Sequence, residues 1–141
     1  MRILGLDVGD RRIGVAMSDT LGLTAQRLTT IERRALPDDV NAVADLETAH
    51  AVEGVVVGLP LNMDGTVGDQ AKKVLAFVEA LKARLHSPVR VFDERLTTLQ
   101  GERALLETDT SRRRRKQLID QIAAQLILQA YLDVNRQTPI A

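Results

Sequence analysis

The chain has 141 residues, 45% of them hydrophobic and 27% charged, which fits one globular domain with a single core. Basic and acidic residues balance at 19 each, so a nucleic-acid surface would have to come from local clustering of charge. Cysteine is absent, which excludes disulfides, Cys-ligated zinc and a thiol nucleophile. An aromatic content of 2% argues against single-strand binding by base stacking. No apolar run approaches the roughly 20 residues that span a bilayer, and we expect a cytoplasmic protein.

The first segment, Ile3–Asp19, predicts a β-hairpin. Its sequence, ILGLDVGDRRIGVAMSD, has two apolar runs separated by a short turn-forming stretch. Asp7 interrupts the first run, and a carboxylate among apolar residues costs on the order of several kcal/mol unless a partner compensates. A metal ion is one such partner. The alternative is that Asp7 only caps the hairpin through an Asx turn.

The middle of the chain alternates between strands and helices. A β-branched run bounded by glycines is typical of a strand buried in a parallel sheet. Thr66 with Asp69 three residues on resembles a capping box, which predicts a helix start. The predicted elements are a strand at Leu23–Thr30, a helix at Pro37–Ala51, a strand at Glu53–Gly58, a helix at Thr66–Leu85 and a strand at Val89–Phe92.

The last third of the chain predicts helices around a basic segment. Thr97 and Gln100 form a second capping-box pattern, which predicts a short helix to about Glu107. Thr108–Lys116 is polar and strongly basic, so we expect a mobile loop there. Leu118–Leu132 has one apolar face and predicts the longest helix. We therefore expect residues 1–133 to form one domain and residues 134–141 a flexible tail.

This order of elements predicts an α/β fold. Three antiparallel strands come first, parallel strands follow, and helices cover both faces of the mixed sheet. In such open sheets, functional groups gather at the carboxyl ends of the strands. Asp7 ends the first strand, and Asp93 and Glu94 end the last.

Asp120 completes a set of acids that point to a metal site. It shares a helical face with Ala123 and Ala124, which are small enough to let the helix lie close on the sheet. Carboxylates that converge there repel one another, and a hard divalent cation relieves that repulsion. Oxygen-only ligation favours Mg²⁺ or Mn²⁺ over zinc.

Each acid also has an ordinary structural interpretation. Asp93 and Glu94 could solvate the strand end or pair with Arg95, and Asp120 could lie on a solvated helix edge. Neither His50 nor His86 lies in these segments, and we assign them no role.

Two further segments suggest contacts with phosphate. Arg112–Lys116, RRRRK, places positive charge where it opposes the dipole of the following helix, and a phosphate backbone would offset that cost. The alternative is a solvated loop. The glycines of Leu59–Thr66, LPLNMDGT, could bring backbone N–H groups close to a phosphate, or the segment could be a plain strand-to-helix turn.

The chain resembles the YqgF/RuvX family in four segments: GLDVGDRRIGVAMSD, VVVGLPLNMDGT, FDERLTT and LIDQIAAQLILQAYLD. They occur in the family's order and extend over nearly the whole chain, from Ile3 to Asp133. The resemblance implies an RNase H-like fold with a five-stranded mixed sheet, related to RuvC-type resolvases, and nuclease activity with Mg²⁺ or Mn²⁺. By position it implies that Asp7, Glu94 and Asp120 are catalytic and hold the metal. Asp93 remains an alternative to Glu94, since neighbours on a strand point to opposite faces.

The predicted nucleic-acid contacts surround these acids. They are Arg11, Arg12, Asn62, Arg95, Thr97, Thr98, Arg112, Arg113, Arg114, Arg115 and Lys116.

Family members suggest two substrates: the 5′ end of pre-16S rRNA, which we favour, and four-way DNA junctions. Junction resolution would require a symmetric homodimer to make paired cuts. DVGDRRIGVA also resembles the phosphate-binding turn of ATP-binding sugar kinases and actin-like proteins, but a P-loop is absent and 141 residues supply only one of their two domains. A catalytically inactive binding module is a further alternative, against which the three acids argue.

Overall fold

A computed structural model describes residues 1–97 and 112–136 of the chain. Five strands form one mixed sheet in the order β3-β2-β1-β4-β5. The hairpin of β1 and β2 and the third strand are antiparallel, whereas β4 is parallel to β1 and β5 is parallel to β4. The predicted mixed sheet is therefore confirmed. The strands are β1 (Ile3–Val8), β2 (Arg12–Ser18), β3 (Ala25–Glu32), β4 (Gly54–Leu59) and β5 (Val89–Asp93).

Helices cover both faces of the sheet, as predicted. Helices α1 (Leu36–Ala49) and α2 (Asp69–Arg84) pack against the face formed by side chains such as Leu6 of β1 and Val57 of β4. Helix α3 (Arg112–Arg136) covers the opposite face, where its buried residues contact Ala16 and Val56. Side chains alternate between the two faces of a strand, so Val56 of β4 lies in the core under α3 while Val55 and Val57 belong to the opposite core.

Glycines let α3 lie unusually close to the sheet. A Cβ added to Gly14 would lie 1.9 Å from the carbonyl oxygen of Asp120, and one added to Gly5 would lie 2.6 Å from the Cβ of Leu128. Ala123 and Ala124 of α3 are fully buried, as their small size predicted. The sheet therefore fixes the position of the α3 backbone at Asp120.

Helix α3 is longer than the sequence pattern predicted. It begins at Arg112 instead of Leu118, so the backbone of Arg112–Lys116 is helical and the predicted loop is wrong there. Arg and Lys have high helix propensity, and this outweighs their unfavourable placement near the helix N-terminus. The helix also continues to Arg136, so the first three residues of the predicted tail are helical.

The predicted capping box at the start of α2 is wrong. The helix begins at Asp69, and its N-cap, Gly68, makes no side-chain capping bond. Thr66 instead donates its hydroxyl to Asp64 Oδ1 at 2.6 Å, inside a turn that Gly65 closes with a φ of +86°. The residues that looked like a cap thus stabilise the preceding loop.

The second predicted capping box falls largely on residues 98–111, which lie outside the described part of the chain. Thr97 is described, and it ends a short 3₁₀ helix, Glu94–Leu96, by donating its hydroxyl to the carbonyl of Glu94 at 2.8 Å. Among the described residues, no helix is long and apolar enough to cross a membrane.

Candidate active site

A cleft of about 470 Å³ opens where the carboxyl ends of β1, β4 and β5 meet. All three acids that the resemblance implied, Asp7, Glu94 and Asp120, line it. The other lining residues are Val8, Gly9, Asp10, Arg12, Pro60, Gln70, Lys116 and Ile119. The topology alone brings these elements together, because parallel strands end at the same edge of a sheet.

Asp7 is held in place by the middle of the sheet. It lies on β1 between Leu6 and Val8, which face the α1/α2 core, so Asp7 faces α3. Its register partner on β2 is Gly14. Only 7% of its surface is exposed, so this carboxylate is buried at the base of the cleft and not on a solvated turn.

Asp120 reaches the cleft from α3, and its carboxylate is ion-paired. Its Oδ2 accepts a hydrogen bond from Nε of Arg12 at 2.7 Å. The exposed fractions of the two side chains are 22% for Arg12 and 19% for Asp120, so the pair is largely shielded from water. Charge-assisted bonds of this kind are among the stronger hydrogen bonds in proteins.

The two neighbouring acids at the end of β5, Asp93 and Glu94, make different contacts. Asp93 accepts hydrogen bonds from Nε and Nη2 of Arg95 and from its backbone N–H. The guanidinium of Arg95 holds the pKa of Asp93 below its ordinary value, chiefly through these side-chain hydrogen bonds. Glu94 lines the cleft, and its Oε1 lies 2.8 Å from where a Cβ on Gly58 would be. The alternative interpretation, pairing with Arg95, thus applies to Asp93.

Several predicted nucleic-acid contacts brace the loop between β4 and α2. Arg95 donates through Nη1 to the carbonyl of Met63 at 3.2 Å, which ties this loop to the end of β5. Asn62 donates to the hydroxyl of Thr66 at 2.9 Å. Asn62 and Arg95 are therefore exposed residues that stabilise this loop, and neither lines the cleft.

The remaining predicted nucleic-acid contacts differ in where they lie relative to the cleft. Arg12 and Lys116 line the cleft, whereas Arg11 is exposed on the hairpin turn and does not. Thr98 and the side chains of Arg112–Arg115 lie outside the described part of the structure. The position of Lys116 nevertheless places the start of α3 next to the cleft.

Sequence reasoning missed the support beneath the β1–β2 turn. Arg33 donates through Nη1 to the carbonyl of Gly9 at 2.9 Å and through Nε to Asp39 Oδ2 at 3.0 Å. Asp39 is 1% exposed, and the Arg33 guanidinium also lies 5.3 Å from the ring centre of Phe77. This buried ion pair fixes the turn that carries Asp10 into the cleft. The only available signal was the pair of acids at the start of α1, which also suits the helix dipole.

The donor chemistry of the cleft suits a hard divalent cation, since it offers carboxylate oxygens and neither thiolate nor imidazole. In the part of the chain that the structure describes, however, no three acidic or histidine side chains are gathered closely enough to hold an ion as they stand. The carboxylate of Asp120 is turned towards Arg12 in this structure.

Solved structures share this fold. Thermus thermophilus RuvC in complex with a Holliday junction substrate matches with a TM-score of 0.62 and 15% identity, covering 99% of each chain. The fowlpox virus resolvase in complex with Holliday junction DNA matches with a TM-score of 0.55 and 13% identity, covering 96% of this chain and 99% of the other. At these identities the likeness concerns the fold alone, and it confirms the predicted RNase H-like class.

Curated relatives are much more similar in sequence. A protein of Moorella thermoacetica named "Putative pre-16S rRNA nuclease" is 59% identical over 133 residues, covering 94% of this chain and 95% of the relative. A protein of the same name from Clostridium novyi is 52% identical over 133 residues, covering 94% and 98%. The family model described as "RuvX: Holliday junction resolvase" matches residues 1–134. The chain belongs to the RuvX family.

Proposed function

We propose that this protein is a divalent-metal-dependent endonuclease that hydrolyses phosphodiester bonds in structured nucleic acid, with the 5′ end of pre-16S rRNA as its substrate. The observation that carries the proposal is the convergence of Asp7, Glu94 and Asp120, from three separate elements, on one cleft. The names of the curated relatives support the choice of substrate. Such a substrate would place the reaction in the cytoplasm.

The three acids would hold Mg²⁺ or Mn²⁺. When bound, such an ion activates a water molecule and stabilises the departing oxygen of a phosphodiester. The sheet fixes the backbone of Asp7, and the contact with Gly14 fixes the backbone of Asp120, so both residues would present their side chains to the cleft from constant positions. Fixed backbone positions of this kind favour the reaction because any rearrangement is limited to the side chains.

Positive charge around the cleft would hold the substrate backbone. Lys116 lines the cleft, and the helical Arg112–Arg115 segment precedes it by one turn. Arg suits phosphate because its planar donors match the oxygens geometrically. The net charge of the chain is zero, so this cluster would provide a local attraction instead of a global one.

The proposal is tested by incubating the purified protein with a pre-16S rRNA fragment and separately with a synthetic four-way junction, in Mg²⁺ or Mn²⁺. An Asp7→Asn variant serves as the control. Cleavage of the RNA at one defined end, lost in the variant, is the expected result. If neither substrate is cut by the native protein, the proposed activity is wrong.

Junction resolution is the second candidate, because the matching family model carries that description. It would require a homodimer that presents two clefts to one junction. Paired symmetric nicks in the junction, with the RNA left intact, would establish this activity and overturn the ribosomal one. A sedimentation measurement on the same samples would show whether the active species is a dimer.

A further inference from the structure

The ion pair between Arg12 and Asp120 occupies the same carboxylate that the proposed metal site needs. The two residues are 108 positions apart in the chain, and both line the cleft. The guanidinium of Arg12 binds Oδ2 of Asp120 at 2.7 Å, and its positive charge opposes the approach of a cation to the same carboxylate. Arg12 and a metal ion are therefore competitors for Asp120.

The backbone on both sides of this pair cannot move to resolve the competition. The Asp120 carbonyl lies against Gly14, two residues along β2 from Arg12, with no room for even a Cβ between them. Arg12 is itself fixed by its strand pairing with Glu32 and by the bond from the Gly9 N–H to its carbonyl. Only side-chain rotation can transfer the Asp120 carboxylate from one partner to the other.

We propose that Arg12 is an internal counter-ion that holds Asp120 in the metal-free protein and is displaced from it when a divalent cation binds. This inference rests on the proposed metal-dependent function. Arg12 neutralises the acidic cleft until the cation arrives. Its guanidinium then becomes available to a phosphate in the same cleft, since Arg is a bidentate phosphate ligand.

The direction of the expected effect separates this role from simple structural support. Loss of a structural residue weakens metal binding, because the ligands become less ordered. Loss of a competitor strengthens it. Arg12→Gln should therefore bind Mn²⁺ about tenfold more tightly than the native protein, the change expected when one charge-assisted hydrogen bond no longer has to be broken.

Lys73 provides the matched control. Its Nζ lies 3.6 Å from Oδ1 of Asp10, another residue of the cleft, and its side chain is 65% exposed. Lys73→Gln removes one positive charge next to the same cleft without touching Asp120. If the effect at Arg12 were only long-range electrostatics, both variants would show it.

The experiment is a calorimetric titration of the full chain with Mn²⁺ alone. The proteins are the native form, Arg12→Gln, Arg12→Lys and Lys73→Gln, each checked for folding by circular dichroism. We expect Arg12→Gln to bind about tenfold more tightly, Arg12→Lys to lie between it and the native protein, and Lys73→Gln to match the native protein.

The outcomes separate the two proposals. Unchanged or weaker Mn²⁺ binding by Arg12→Gln, with binding by the native protein, overturns the role of Arg12 and leaves the proposed function standing. Equal tightening in Lys73→Gln also overturns it. Absence of Mn²⁺ binding in both the native protein and Arg12→Gln overturns the metal-dependent function and this inference together. If Arg12→Gln does not fold, Arg12→Lys decides, and an affinity equal to the native value overturns the inference.

Discussion

Gly14 of β2 and Asp120 of α3 are in direct backbone contact, and a Cβ on Gly14 would lie 1.9 Å from the Asp120 carbonyl oxygen. Neither backbone is free to yield, because Gly14 is paired on both sides in the sheet and Asp120 is inside a helix. This contact sets the height of α3 above the sheet and with it the position of the Asp120 carboxylate.

Gly14→Ala should therefore reduce both stability and activity. Overpacking of this kind costs about 1–3 kcal/mol, and lifting α3 displaces Asp120 from the cleft. Gly54→Ala is the matched control on β4, two strands away in the sheet, where an added Cβ would lie 3.8 Å from Ile3 Cγ1, an ordinary van der Waals distance. Urea denaturation and a cleavage assay measure the two effects. A Gly14→Ala protein as stable and as active as Gly54→Ala would contradict the close-contact argument.

Glu94→Gln and Asp93→Asn should have different consequences. Glu94 lines the cleft, so its amide variant should lose about 10²-fold or more in cleavage rate with little change in stability. Asp93 binds Arg95 outside the cleft, so Asp93→Asn should retain most activity and loosen the Arg95–Met63 contact. Single-turnover cleavage rates decide between them. Equal losses in both variants would assign Asp93 to the chemistry as well.

Glu47 should make the stability depend on pH. Its side chain is buried, with 5% exposed, and this burial raises the pKa of Glu47. Hydrogen bonds from Ser87 and His86 outweigh the effect of burial and hold the pKa below its ordinary value of 4.5. Its contribution is therefore complete above pH 4.5 and is lost as the pH falls through the lower folded value. Glu47→Gln should lose about 1–3 kcal/mol at pH 7, and the difference should shrink in acid.

The control for Glu47 is Glu79→Gln on α2. Glu79 is 75% exposed and pairs with Lys82 at 3.6 Å, so its loss should change the free energy of unfolding by less than about 0.5 kcal/mol at any pH. Urea denaturation of both variants between pH 3 and 8 gives the comparison. A difference for Glu47→Gln that stays constant across this range would refute the assigned role of its charge.

Neutralising Arg112–Arg115 should weaken nucleic-acid binding and flatten its dependence on salt. Each lost phosphate contact reduces the slope of log K against log salt by about 0.7–0.9. The control is a variant in which Lys72, Lys82 and Arg84 of α2 are replaced by Gln. It loses exposed positive charge on the opposite face of the sheet, and its salt dependence should be unchanged. Binding titrations with RNA at several salt concentrations test this. An unchanged slope after neutralising Arg112–Arg115 would remove the segment from the interface.

The sequence pattern predicted the strands of the sheet and the acids at their ends, because both can be identified from residues that are neighbours in the sequence. Apolar runs in β1 and β4 specify buried strands by themselves; Asp7 is the next-to-last residue of β1, and Glu94 directly follows β5. Parallel topology then brings those ends together. The predicted start of α2 was wrong because the side chain of Thr66 could bond either to the helix N–H groups or to the Asp64 carboxylate. In the structure it bonds to Asp64.

Contacts between residues that are far apart in the sequence could not be predicted from local sequence patterns. No residue near Arg12 in the sequence indicates that Arg12 pairs with Asp120, which is 108 positions further along the chain. The choice between Asp93 and Glu94 likewise depends on the 3₁₀ helix that follows β5, which turns Glu94 into the cleft while Arg95 retains Asp93. Gly14 carried a signal that could have been used, since a glycine inside a strand often marks close approach of another backbone.

The placement of α3 has a consequence for how the protein is made. All five strands are synthesised before this helix, yet the helix brings Asp120 and covers one entire face of the sheet. A growing chain that has emerged only as far as β5 therefore lacks Asp120 and leaves the apolar side chains of that face uncovered. A cleft that holds all three carboxylates therefore exists only after α3 has been synthesised and has packed onto the sheet.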